Sequence, residues 1–371
     1  MRAPQGTTLM HLPGSRGLGL DPRGRLGDLP GMAVAAVLPV GFLRLLLPAY
    51  RPEPQGDQRT LPLYGYTAVA ESDGQLLVAA LTSDKYSPWT GHRPSPAQIQ
   101  RSVTRLQRRL PRSRVVAQLS ICAVKHNCLT AQNTFLGRFE GALPTSAACN
   151  ADCLGCISLQ TDSGAPAPQP RLPRAPTGAE LLEVAGLHLQ AARRRGEPGM
   201  VSFGQGCEGE PLLRERALRP VVAELRRSFP EATLHINTNG SRPAALGRLF
   251  ESGLNSCRIS VFSFRQELFA AYYRPRGSSI EEVKECARVA RRAGAQLALN
   301  LLTFPGVSDT PSEIDLTATQ VEDLRVDQVQ LRNLNVDPRW LLQRIPDQEP
   351  GVGLEHLRSR LRQQLPALRL G

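Results

Sequence analysis

Three thiols fall within eight residues in Cys149-Asn-Ala-Asp-Cys153-Leu-Gly-Cys156, at C-x3-C-x2-C spacing. One loop can aim all three at a single point, and converging thiolates are ligands for soft metals. Two guests suit them. An iron–sulfur cluster held by three cysteines keeps one iron free of protein donors, whereas four would close it into a plain electron carrier. Zinc in a structural site wants a fourth Cys or His, and Cys128 or His126 is close enough in sequence to serve. Cys122, His126 and Cys128 lie together just upstream of the triplet. They lack the fourth ligand of a second cluster and read as structural residues.

A loop of this kind needs a scaffold, and after about residue 177 the chain alternates helical stretches with short apolar strands, the βαβ pattern of a parallel sheet. Strands are expected near 144–148, 201–205, 233–238, 257–262, 296–302 and 328–333. Six such units with right-handed crossovers close partway into a barrel. The fold class is therefore α/β: a partial (β/α)6, TIM-like barrel with parallel strands, preceded by a small N-terminal β-rich module.

Side chains alternate across each strand, and one face is unusually polar. His235 and Asn237 share it on the third strand, Arg258 and Ser260 on the fourth, Gln296 and Asn300 on the fifth, and Gln328, Gln330 and Arg332 on the sixth. Leu234, Ile236, Ile259, Val261, Val329 and Leu331 take the opposite face, toward the helices. A packed barrel fills its centre with branched apolar side chains. This one is expected to hold a polar ligand, with Arg258 and Arg332 suited to an anionic group.

Ligands in parallel α/β folds bind at the carboxyl ends of the strands, and further motifs fall there. The second strand is followed by Gly204-Gln-Gly206-Cys207-Glu208-Gly209-Glu210-Pro211, the third by Thr238-Asn239-Gly240, and the fifth by Pro305-Gly306. In this order the triplet and these turns resemble the radical S-adenosylmethionine (SAM) superfamily over about residues 140–340. The chain looks nearest to the branch containing enzymes of molybdenum-cofactor, nitrogenase-cofactor and pyrroloquinoline-quinone biosynthesis, and within it to uncharacterised bacterial members.

The resemblance implies that Cys149, Cys153 and Cys156 hold a [4Fe-4S] cluster and that SAM binds its open iron. It implies SAM contacts from Gly209, Glu210, Pro211, Asn237, Asn239, Arg258 and Ser260. The implied activity is reductive cleavage of SAM to a 5′-deoxyadenosyl radical that takes hydrogen from a substrate. A small metabolite or cofactor precursor is the expected substrate, and a flavodoxin or ferredoxin type of protein the expected reductant. Two other functions fit the same motifs: an activating enzyme for a partner protein, and a non-catalytic zinc or iron–sulfur sensor. Two departures stand out. The residue before the third cysteine is usually aromatic and lies against adenine, but here it is Gly155, so stacking passes to Ile157, Phe304 or another apolar side chain. Glu208, after Cys207, stands where the first glycine of the G-G-E-P motif belongs.

Composition sets the remaining bounds. The 371 residues are 41% hydrophobic, enough for one large domain or two modest ones. Eight cysteines are too sparse for a disulfide scaffold, and their clustering fits a reducing, cytoplasmic setting. The net charge of +12 invites a nucleic-acid partner, but lysine occurs only at 85, 125 and 284. That arginine skew, with abundant Ala, Pro, Gly and Leu, reads as a composition bias, and nucleic acid is not expected.

Residues 1–31 hold seven Gly and four Pro without apolar periodicity and are expected to be a disordered leader, with Met32 a candidate start. The apolar run 32–47 is broken by Pro39, Gly41 and Arg44 and is too short to cross a bilayer; it reads as a buried strand or strand pair. A β-hairpin is expected over 61–81, turning at Glu71-Ser-Asp-Gly74. Capping boxes at Ser95 and Thr177 open helices, the first with Arg101, Arg105, Arg108 and Arg109 on a solvated face. The expected division is a leader over 1–31, the β-rich module with one helix over 32–135, the barrel over 136–345 and a helical tail over 346–371.

Overall fold

In the computed structural model residues 1–20, 23–54, 56–57, 59–83 and 94–371 are described. β1 (Thr8–Leu20) runs antiparallel to β2 (Leu26–Val37), with Thr8 opposite Val37 and Leu20 opposite Leu26. The disordered leader expected over 1–31 is therefore not what forms. A backbone ladder needs no apolar period, and its inner end finds a small core of Leu12, Ala33, Ala35, Leu61 and Tyr66. β3 (Phe42–Arg44), β4 (Tyr50–Pro52) and β5 (Tyr66–Thr67) follow, and the larger N-terminal sheet has the order β4-β1-β2-β5. β6 (Val69–Ser72) and β7 (Gln75–Val78) form the expected hairpin. Asp73 and Gly74 make its turn with φ of 50° and 72°, the left-handed pair that tight hairpins require. β8 (Ala80–Thr82) pairs with β3.

Three helices come next: α1 (Pro96–Arg109), α2 (Arg114–Val124) and α3 (Leu129–Leu136). Ser95 and Gln98 close the expected capping box on α1, and its four arginines lie exposed. Ile99, Val103, Val115 and Leu119 are buried in the same core as the barrel strands. By packing, then, these helices belong with the barrel although they precede residue 136.

The barrel begins with β9 (Glu140–Leu143), not at 144–148, because Pro144 has no N–H to give the ladder. It continues through α4 (Gly178–Arg194), β10 (Met200–Phe203), a 3-10 turn at Pro211–Arg214, α5 (Glu215–Ser228), β11 (Thr233–Thr238), α6 (Pro243–Glu251) and β12 (Ser256–Val261). Then come α7 (Gln266–Tyr273), α8 (Ile280–Arg292), β13 (Gln296–Thr303), α9 (Pro311–Asp323), β14 (Gln328–Asn333) and α10 (Pro338–Leu342). α11 (Leu354–Gln364) leads to β15 (Arg369–Leu370), which pairs parallel with β14. The tail is thus not wholly helical, and the parallel sheet has seven strands in sequential order, β9 to β15.

Leu234, Ile236, Ile259, Val261, Val329 and Leu331 are buried toward the helices, as their alternation requires. Of their polar neighbours, Asn237, Arg258, Ser260, Asn300, Gln330 and Arg332 line the lumen, while Gln296 at the start of its strand is exposed. The N-terminal sheets dock on the sixth barrel strand: Asn333 accepts from the Arg44 N–H at 2.9 Å and donates to the Phe42 carbonyl at 2.9 Å. No helix among the described residues is long and apolar enough to cross a membrane.

Candidate functional site

The three cysteines lie on the loop that leaves β9 at the carboxyl end of the sheet. Neighbouring βα turns hold that loop. The Gly209 N–H donates to the Ser146 carbonyl and the Glu210 N–H to Ala148, both at 2.8 Å, so the G-E-P segment runs along the loop like a short strand. A Cβ on Gly209 would stand 1.9 Å from the Ala148 oxygen, which is why only glycine fits. On the far side the N–H groups of Asp152 and Leu154 donate to Tyr273 and Tyr272 at the end of α7, and Asn239 donates to Asn150 at 3.0 Å.

Two buried carboxylates tie the turns together. Glu208 accepts from the N–H groups of Thr145 and Ser146, from the Thr145 hydroxyl at 3.2 Å and from the Gln205 N–H at 2.7 Å. Burial pushes it up to about 8, against the pull of those N–H groups. Glu210 accepts from Thr238 Oγ1 at 2.6 Å, the Asn239 N–H at 2.8 Å and the Leu212 N–H at 3.0 Å, and burial pushes it up to about 7. Its side chain is fully used inside the protein, so only its backbone faces a ligand.

Cys153 is held well above the usual thiol range, first by burial, then by the neighbouring charges of Cys156 and Cys149. Burial raises Cys149 as well, while the nearby Arg171 guanidinium works the other way. Arg171 donates to Cys156 Sγ at 3.8 Å and to Ser158 Oγ at 3.1 Å. It comes from the proline-rich stretch 161–176 between the cysteine loop and α4, where no sequence pattern marked it. Cys122 faces Cys207, sulfur to sulfur at 3.7 Å, while His126 and Cys128 open onto the lumen. Those upstream residues therefore do not gather round a metal.

The lumen contains a cavity of about 540 Å3. Asn237, Arg258, Ser260, Asn300 and Gln330 line it with Glu140 and Arg332; Val40, Gly41 and the start of α3 border its open side. Arg258 donates through Nε to Asn237 Oδ1 at 2.8 Å and through Nη1 to Gln330 Oε1 at 2.7 Å. Below it His235 lies between Ser256 Oγ at 2.7 Å and Asn237 Oδ1 at 3.3 Å, and burial pushes its pKa down to about 3. The expected SAM residues thus divide. Gly209, Glu210, Pro211 and Asn239 surround the cysteine loop; Asn237, Arg258 and Ser260 line the lumen.

Gly155 packs against Leu334, Tyr272 and Asn335, which fill the space an aromatic side chain would need. Phe304 is fully buried with the Arg44 guanidinium 4.8 Å above its ring, so it offers no face to adenine; Ile157 is partly open beside Gly206.

The profile of the radical SAM superfamily matches residues 143–316, from the end of β9 into α9. The chain carries a radical SAM superfamily domain. No curated protein matches it. Among solved structures it is similar to a radical S-adenosylmethionine methyltransferase from Kitasatospora setae (14% identity, 53% of this chain and 36% of that one, TM-score 0.39). It is also similar to methylornithine synthase (15%, 76% of each chain, 0.43) and to spore photoproduct lyase (16%, 65% and 84%, 0.44). The chain spans little more than a third of the length of the first of these.

The cofactors of the radical SAM superfamily are a [4Fe-4S] cluster and SAM. The donor set of this domain fits the cluster. Its three thiols share one loop and feel one another's charge, yet among the described residues no three Cys, His, Asp or Glu side chains close tightly round a single ion. Three thiolates from one loop are the ligand set that leaves one iron of such a cluster without a protein donor.

Proposed function

We propose that the protein is a radical SAM enzyme acting on a small polar molecule in the barrel lumen. The observation that carries this reading is the three-thiol loop strapped to the G-E-P turn at the mouth of a parallel half-barrel. Cys149, Cys153 and Cys156 would be the cluster ligands. The backbone of Gly209 to Pro211, with Asn239 and Ser260, would receive SAM. Asn237 and Arg258, tied to Gln330 across the lumen, pass to the substrate side. When bound, cluster and SAM supply the hard step, one-electron cleavage to a 5′-deoxyadenosyl radical that removes hydrogen.

The chain's own contribution is placement. Glu208 and Glu210 fix the turns that aim the thiols, and the lip of Val40, Gly41 and α3 limits water in the lumen. A flavodoxin or ferredoxin type of reductant and a cytoplasmic setting belong to this proposal.

The test is anaerobic reconstitution with iron and sulfide, then dithionite and SAM, with 5′-deoxyadenosine as the readout. Wild type should make it, and Cys153→Ala should lose it by at least about a hundredfold. Undiminished production by that variant would overturn the ligand assignment. A sensor would bind metal and leave SAM intact.

A further inference from the structure

The strand residues around the lumen cavity are all polar, among them Glu140, Asn237, Arg258, Asn300, Gln330 and Arg332. An apolar substrate would strip water from the donors and acceptors that face the cavity and leave them unpaired, at a cost for each. Charge narrows the choice further. Two arginines face one carboxylate, and Glu140 already accepts a hydrogen bond from Ser202 Oγ.

Arg258 is the informative residue. A guanidinium has five N–H donors, and two are used, Nε on Asn237 and one from Nη1 on Gln330. Both acceptors are neutral amides, so they orient the group without cancelling its charge. The Nη2 group and the second Nη1 hydrogen find no acceptor among the described residues, and Nη2 is not sealed away from the cavity. Burial pulls the Arg258 pKa down, with Glu140 opposing and Arg332 assisting. A cation so placed is one that an anion would stabilise.

We infer that the lumen binds a small, hydrogen-bonding carboxylic acid whose two oxygens are received by Nη1 and Nη2 of Arg258, an inference that rests on the reading of this cavity as the substrate site. A planar carboxylate matches one free fork of donors. The surrounding amides of Asn300 and Gln330 offer both donors and acceptors to the rest of such a molecule. A carboxylate is planar like the fork, whereas a phosphate is tetrahedral and meets it with only two of its four oxygens.

The experiment uses the cluster-loaded full chain without SAM and follows its melting temperature against succinate, inorganic phosphate and glycerol. Succinate should stabilise the wild type saturably, glycerol should not, and phosphate should bind more weakly than succinate. Arg258→Met should weaken the apparent succinate affinity at least about tenfold. Asn300→Asp, which adds an opposing charge without removing the arginine, should do the same, with circular dichroism showing that both variants are folded. Succinate affinity equal to wild type in the folded variants, no succinate response in the wild type, or tighter binding of phosphate would each overturn the inference. SAM cleavage is measured separately on the same preparation. Its loss beside an intact, Arg258-dependent succinate response would sink the cofactor reading and leave the lumen assignment standing.

Discussion

His235 shows how far burial sets chemistry at a single position. It sits neutral between Ser256 and Asn237 beneath Arg258, its pKa pushed down to about 3. The unfolded residue titrates near 6.5, so the stability it contributes is complete above that pH and is lost as pH falls toward the folded value. Between about pH 6.5 and 4.5 the loss is roughly 2–3 kcal/mol. His235→Gln, which takes on no charge, should narrow the gap in melting temperature between those two pH values; a gap as wide as that of wild type would refute the assignment. At this scale the sequence was only partly legible. The cysteine triplet announces itself because thiol spacing is nearly a geometry in itself. Glu208 does not, since nothing local says that four donors from two loops will meet its carboxylate. Arg171 reaches Cys156 from a loop without periodicity, and only the folded chain brings them together.

Among the elements, the cysteine loop and the G-E-P turn behave as one strap, and its tightest point is Gly209. An added methyl there would meet the Ala148 oxygen at 1.9 Å and Ala148 carbon at 2.4 Å, so the loop must move. Gly209→Ala should therefore lower iron retained after anaerobic reconstitution and gel filtration by at least about half, while far-ultraviolet circular dichroism stays close to wild type. Full iron content in that variant would mean the strap is not needed to aim the thiols. The barrel strands were readable because apolar and polar residues alternate so cleanly. The first came out four residues early because Pro144 stops the ladder, and β15, two residues long, offers too little pattern to find.

At the scale of the whole molecule, the N-terminal sheets are fastened to the barrel by a few long-range bonds. Asn333 grips β3 from both sides, Arg44 donates to the Leu334 carbonyl at 2.6 Å, and the Leu61 N–H donates to Asp337 at 2.8 Å. Asn333→Ala should speed amide exchange at residues 42–44 by at least about tenfold, with β10 to β13 protected as before; unchanged exchange would show that apolar packing alone holds the module. Such fastening is invisible in sequence. The leader looked disordered because composition reports whether a segment can bury surface alone, not whether a partner waits elsewhere in the chain.

Those fastenings also fix an order of events at the ribosome. Arg44 and its partner Leu334 are 290 residues apart, which at about 5–20 residues per second is roughly 15–60 s of translation. Sequential neighbours such as β10 and β11 can pair soon after they emerge, but the amino-terminal sheets cannot dock until the sixth barrel strand has been made. Through that interval the lumen, which Val40 and Gly41 border in the finished fold, stands uncovered on that flank, giving a ligand a way in that the finished protein narrows.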